Sequence, residues 1–144
     1  MSMPEIYPMP LFVTLTVADL AASQRWYEAI GFTTVYSMAG PDGTAVFAHV
    51  RWNRYADLLL RPGAGSTGPK GLGVALNFRV EHDIDALALH AKAEGANIIE
   101  EVGDRPWNAR DFTLMDLDGF TLTFTYGPLK DRDFDVVMRR ALRP

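Results

Sequence analysis

The sequence predicts an α+β fold: two βαβββ modules forming a curved mixed sheet around a cup, with the helices on the outer face. Three observations carry this reading. Hydrophobic periodicity runs strand, helix, strand, strand, strand, and the same order then recurs. The only linker-like run, Pro62-Gly-Ala-Gly-Ser-Thr-Gly-Pro-Lys-Gly71, falls close to the middle of the 144 residues. Finally, 48% hydrophobic residues are enough for the core of one domain, and with no cysteine that core is held by packing alone.

Residues 1–10 carry three prolines and read as an extended arm. In residues 11–17, Leu11, Val13, Leu15 and Val17 share one face, with Phe12, Thr14 and Thr16 on the other, the pattern of a half-buried strand. Asp19 offers an N-cap, Ala22, Trp26, Tyr27 and Ile30 recur at helical spacing, and Gly31 stops the helix. Strand-like runs follow at 32–37, 44–52 and 56–61, the first two joined by a Pro41-Asp42-Gly43 turn. The first module thus spans about 11–61 and the linker 62–71.

The second module, about 72–126, repeats the order. A strand at 74–80 precedes an N-cap at Asp83 and a helix with Ile84, Leu87, Ala88 and Ala91 inward, stopped at Gly95. Strands are expected near 97–101, 110–115 and 120–126, the last two joined by Leu117-Asp118-Gly119. A C-terminal helix at about 129–142 places Phe134, Val137, Met138 and Ala141 on one side, and Arg139, Arg140 and Arg143 complement its dipole. A four-stranded sheet with a helix on one face leaves the other face bare, so two such units gain by joining into a curved sheet with a concave side.

Composition and motifs narrow the chemistry. A net charge of −4 argues against a nucleic-acid binder, which needs a basic face, and favours a neutral or cationic ligand. The N-terminal residues show neither the basic nor the long apolar region of a signal peptide or anchor, so a cytoplasmic protein with no membrane partner is expected. There is no Gly-x-Ser-x-Gly elbow and no phosphate loop, and Gly63, Gly65 and Gly68 lack the context of a dinucleotide fingerprint. Glu100-Glu101, Asp116-Asp118 and Asp131-Asp133-Asp135 fall at turns or ends and read as solvated charge. His82 precedes the second helix and His90 lies at its boundary. His49 is expected to face the cup but has no partner at a recognisable spacing on its own strand.

Val17-Ala-Asp19-Leu20, Ser23, Trp26-Tyr27 and Gly31-Phe32, together with Arg110-Asp-Phe112 and Asp116-Leu-Asp118-Gly119-Phe120, resemble the vicinal oxygen chelate superfamily, which includes glyoxalase I, extradiol dioxygenases and bleomycin-resistance proteins. The resemblance runs from about residue 11 to 126. It implies paired βαβββ modules and, in metal-dependent members, His and Glu ligands on the first and last strand of each module. The matching positions here are Phe12, Leu59, Ala75 and Thr123, with Asp57 two residues before Leu59 on the same face. Only the threonine has an oxygen, and a neutral hydroxyl is a weak ligand. The resemblance is therefore to the metal-free, bleomycin-resistance-like branch, which the 106–110 segment Pro-Trp-Asn-Ala-Arg also resembles.

That branch implies a homodimer and the sequestering of an antibiotic-like planar molecule without cofactor or metal. By strand parity and loop position, Phe12, Thr14, Phe47, His49, Leu59, Asn77, Trp107 and Thr123 are expected to line the ligand site. An enzyme of the superfamily with displaced ligands or none, acting as a lyase, isomerase or dioxygenase, is the alternative. A non-catalytic partner domain is a third.

Overall fold

A computed structural model of the chain describes residues 4–63, 70–130 and 134–142. Asp131, Asp133, Arg143, Gly65, Gly68 and most of the expected linker lie outside the described residues. The chain divides into two compact units, residues 1–70 with the turn Leu117–Gly119, and residues 71–116 with 120–144.

The first unit contains β1 (Val13–Val17), α1 (Leu20–Ile30), β2 (Thr33–Ala39), β3 (Ala45–Arg51) and β4 (Asp57–Pro62). Its sheet is open and mixed, in the order β1-β4-β3-β2, with β1 parallel to β4 and the other pairs antiparallel. Alternation sends Leu15, Val17, Ala48, Val50, Leu58 and Leu60 to the face that packs on α1, and all six are buried. Asp19 caps α1 as expected, accepting from Ala22 N at 3.0 Å. The inward face of α1 differs from the expected one: Leu20, Ser23, Tyr27 and Ile30 are buried, whereas Ala22 and Trp26 are only partly covered. Ser23 can turn inward because its hydroxyl donates to Asp118 Oδ2 at 3.3 Å, and Asp118 Oδ1 accepts from Ala18 N at 2.8 Å.

The second unit contains β5 (Ala75–Arg79), α2 (Ile84–Ala93), β6 (Asn97–Arg105), β7 (Ala109–Met115), β8 (Thr121–Tyr126) and α3 (Phe134–Ala141). Its sheet has the equivalent order β5-β8-β7-β6, again with the first strand parallel to the last. Phe78, Phe112, Leu114, Leu122 and Phe124 form its core, with the Phe124 ring stacked between Phe78 at 5.5 Å and Phe112 at 5.3 Å. Asp83 caps α2 through Ala86 N. β6 continues to Arg105, beyond the end expected near 101, because it pairs with β7 up to a tight turn at Pro106–Asn108. Asn108 takes a positive φ of 64° there, a conformation asparagine tolerates better than most residues.

Candidate functional site on the helix-free face of each module

The face of each sheet turned away from its helix collects the residues expected to line a ligand site. In the first unit, β1 pairs Thr14 with Leu59, β3 pairs His49 with Leu59, and β2 pairs Tyr36 with His49 and Met38 with Phe47. Paired residues share a face, so Thr14, Leu59, His49, Phe47, Tyr36 and Met38 stand together. Phe12 lies just before β1, shorter by two residues than expected, and continues the parity of Thr14. Tyr36 and Met38 are each 47% exposed and Phe12 46%, while the Phe47 and Tyr36 rings meet at 6.4 Å. This is an apolar, aromatic surface open to solvent.

A buried polar cluster underlies it. His49 Nε2 lies 2.5 Å from Asp57 Oδ2, and Arg51 donates to the same carboxylate through Nε, at 2.9 and 3.1 Å, and through Nη2 at 2.8 Å. The Asp57 side chain has no exposed surface, and the His49 and Arg51 side chains are 9% and 12% exposed. Hydrogen bonding to Asp57 raises the Arg51 pKa above its ordinary value. Residues 4–10 cover this cluster from one side: Arg51 Nη1 donates to Glu5 O at 2.7 Å, its guanidinium sits 4.3 Å from the Tyr7 ring centre, and Tyr7 Oη accepts from Tyr55 N. His49 therefore has a partner where the sequence suggested none. The partner is eight residues away across the β3–β4 hairpin, and only the Arg51–Asp57 register brings the two diagonally together.

The second unit presents a different chemistry in the same register. Its β8 pairs Asn77 and Thr113 with Thr123, as β4 pairs Thr14 and His49 with Leu59, so Thr123 is the counterpart of Leu59 and Thr113 of His49. Thr121, Thr123 and Thr125 stand opposite the buried Leu122 and Phe124, and Thr123 Oγ1 bonds Thr113 Oγ1 at 2.8 Å. Asp111, beside them on β7, is buried and accepts from Arg105 Nε at 2.7 Å. Trp107 occupies the β6–β7 turn and is 49% exposed. A separate cleft of about 360 Å³ lies by the N-terminus of α2, with His82, Asp85, Arg110 and Tyr126 in its wall. There Arg110 is bound to Asp85 and Asp104, which lowers the Asp85 pKa and raises that of Arg110.

Two of the carboxylates read as solvated charge hold backbone instead. Asp116 is buried and accepts from Phe120 N at 2.8 Å, and Asp118 accepts from Ala18 N and Ser23. The turns need acceptors for amides that the ladders leave unpaired.

The donor set does not suit a divalent cation. Phe12, Leu59 and Ala75 offer no ligand atom, and the Thr123 hydroxyl is neutral and bonded to Thr113. Among the described residues, no group of three or more His, Asp or Glu could hold a metal ion. His49 and Asp57 are bonded to each other, with Arg51, a cation, on the same carboxylate.

The family model of the Glyoxalase/Bleomycin resistance protein/Dioxygenase superfamily matches residues 11–124, and the chain belongs to this superfamily. Within it, the chain resembles the metal-free, bleomycin-resistance-like members. Solved structures with the same fold include a glyoxylase/bleomycin resistance protein/dioxygenase domain from Frankia sp. EAN1pec, 26% identical over 85% of this chain and 93% of that one, with a TM-score of 0.66. TioX from Micromonospora sp. ML1 is 22% identical over 81% of this chain and 96% of its own, also with a TM-score of 0.66. A glyoxalase-related enzyme from Clostridium phytofermentans is 18% identical over 88% and 99%, with a TM-score of 0.64. No curated protein matches the chain. No helix among the described residues is long and apolar enough to cross a membrane.

Proposed function

We propose that this protein binds a small, planar aromatic molecule, antibiotic-like in character, without a metal and without altering it. The observation that carries the reading is the helix-free face of the first sheet, where Phe12, Tyr36 and Met38 are exposed and Phe47 is half-buried, beside the Thr14 hydroxyl and the largely buried His49. A soluble sheet face that stays aromatic and uncovered is suited to stacking on a ring, because burial of apolar area supplies the affinity and a single polar group fixes orientation. Thr14 and Leu59 complete this surface. Asn77, Thr123 and Trp107 are proposed ligand contacts on the second unit, whose own helix-free face carries hydroxyl and amide groups. Together with the negative net charge, the internal pairing of Arg51 with Asp57 favours a neutral or cationic ligand. A homodimer is part of the proposal, on the resemblance to bleomycin-resistance proteins.

A thermal-shift screen of planar aromatic compounds in excess chelator tests the reading. Binding to the native state raises the melting temperature through linkage, by an amount that grows with ligand concentration. At least one compound class is expected to do so, and Phe47→Ala is expected to reduce the shift. A library with no stabilising member would reject the proposal. The His49–Asp57 pair supports a second reading, a metal-independent enzyme in which His49 acts as a base. Its mark is turnover that survives chelation and is abolished by Asp57→Asn.

A further inference from the structure

We infer that His49 is the hydrogen-bond acceptor for an O–H or N–H group on the ligand, so that the first module selects neutral planar molecules of the phenol class. The inference rests on the small-molecule reading above and names what that surface prefers.

A carboxylate can only accept, so the short contact from Asp57 Oδ2 places the hydrogen of a neutral ring on Nε2 and leaves Nδ1 with a lone pair. Nδ1 finds no hydrogen-bond partner among the described residues. Among the described residues no fully buried side-chain nitrogen or oxygen is left without one, so Nδ1 is the open edge of the ring. The ring itself cannot turn away, because His49 is 7% exposed and tied to a carboxylate that Arg51 also holds. The result is a fixed acceptor at the edge of the aromatic surface.

Its surroundings decide what it accepts from. Tyr36 and Leu59 are its cross-strand neighbours and Phe47 lies two residues along the same strand, all with apolar surface to offer a ring. An unshared lone pair on Nδ1 disfavours an anion. The guanidinium of Arg51, next along the same face, is neutralised by Asp57, and the other guanidinium of that face, Arg61, lies two residues beyond Leu59 and donates to Thr16 Oγ1. A neutral aromatic ring bearing a donor satisfies both the surface and the nitrogen.

The test compares 2-naphthol with 2-methoxynaphthalene, which share the ring system and differ in the donor. Each is titrated into the full chain with excess chelator, following affinity and the NMR signals of the His49 ring nitrogens. A directed hydrogen bond predicts roughly five- to tenfold tighter binding of 2-naphthol, with the Nδ1 signal moving for that probe alone. In His49→Gln the side-chain amide can still donate to Asp57 but offers no acceptor at the Nδ1 position, and the preference is expected to fall to about twofold or less. If this variant does not fold, the two probes and the nitrogen signals of the unsubstituted protein decide the matter. Equal affinities with a stationary Nδ1 signal would overturn this inference and leave the planar-ligand reading standing. A preference for 2-naphthol that leaves Nδ1 unmoved would place the donor elsewhere and overturn it as well. Binding of neither probe would reject both.

Discussion

At residue 57 a carboxylate with no exposed side-chain surface accepts from His49 on one side and Arg51 on the other. Removing its charge leaves a largely buried guanidinium without its counterion, the costly way to break a buried pair. Asp57→Asn is therefore expected to lower stability by about 3 kcal/mol, read by urea denaturation with unchanged m-value. The threonine pair on the second sheet makes a different case. Thr123→Val leaves the Thr113 hydroxyl, on a residue only 7% exposed, without its partner and should cost about 1–2 kcal/mol. Replacing both threonines by valine removes both polar groups and should cost less than the single change. A double-mutant cycle checks the sign of that coupling.

Helix α1 shows how an element's end is fixed by what stands beside it. Gly31 takes a φ of 123° and turns the chain from the helix into β2, with its amide donating to Glu28 O. A Cβ at this position would lie 3.0 Å from Cζ3 of Trp52, whose ring packs on Phe32. Gly31→Ala is expected to destabilise the protein by about 2 kcal/mol through strain and contact together, measurable as a fall in melting temperature. The elements themselves were legible because each obeys a local rule: period-two alternation in residues 13–17, a capping aspartate before α1 and before α2, glycine after the first. Their ends were less so. β6 extends to Arg105 through pairing with β7, and Ser23 turns inward through a bond to Asp118, 95 residues away. Neither partner is visible in a local window.

At the scale of the whole chain, the repeated order of elements located both modules, and the faces of their strands followed from parity. The His49–Asp57–Arg51 cluster did not follow, although a signal was present. His49 and Arg51 are polar residues at alternate positions of an otherwise apolar strand, and Asp57 opens another. Joining them requires the register across the Trp52–Ala56 turn, closed by Trp52 N to Ala56 O, which no spacing rule supplies. The same register makes Leu59 and Thr123 equivalent, so that one module offers an aromatic face and the other a hydroxyl-bearing one on the same framework. The function proposed for this superfamily member thus depends on side chains grafted onto that framework and on no metal. Chemical-shift mapping of the protein with 2-naphthol in excess chelator tests this most directly. The expected result is a set of perturbations centred on Phe12, Tyr36, Phe47, His49 and Leu59. Perturbations that emerge only when a divalent cation is restored, or that cluster instead at His82, Asp85, Arg110 and Tyr126, would contradict it.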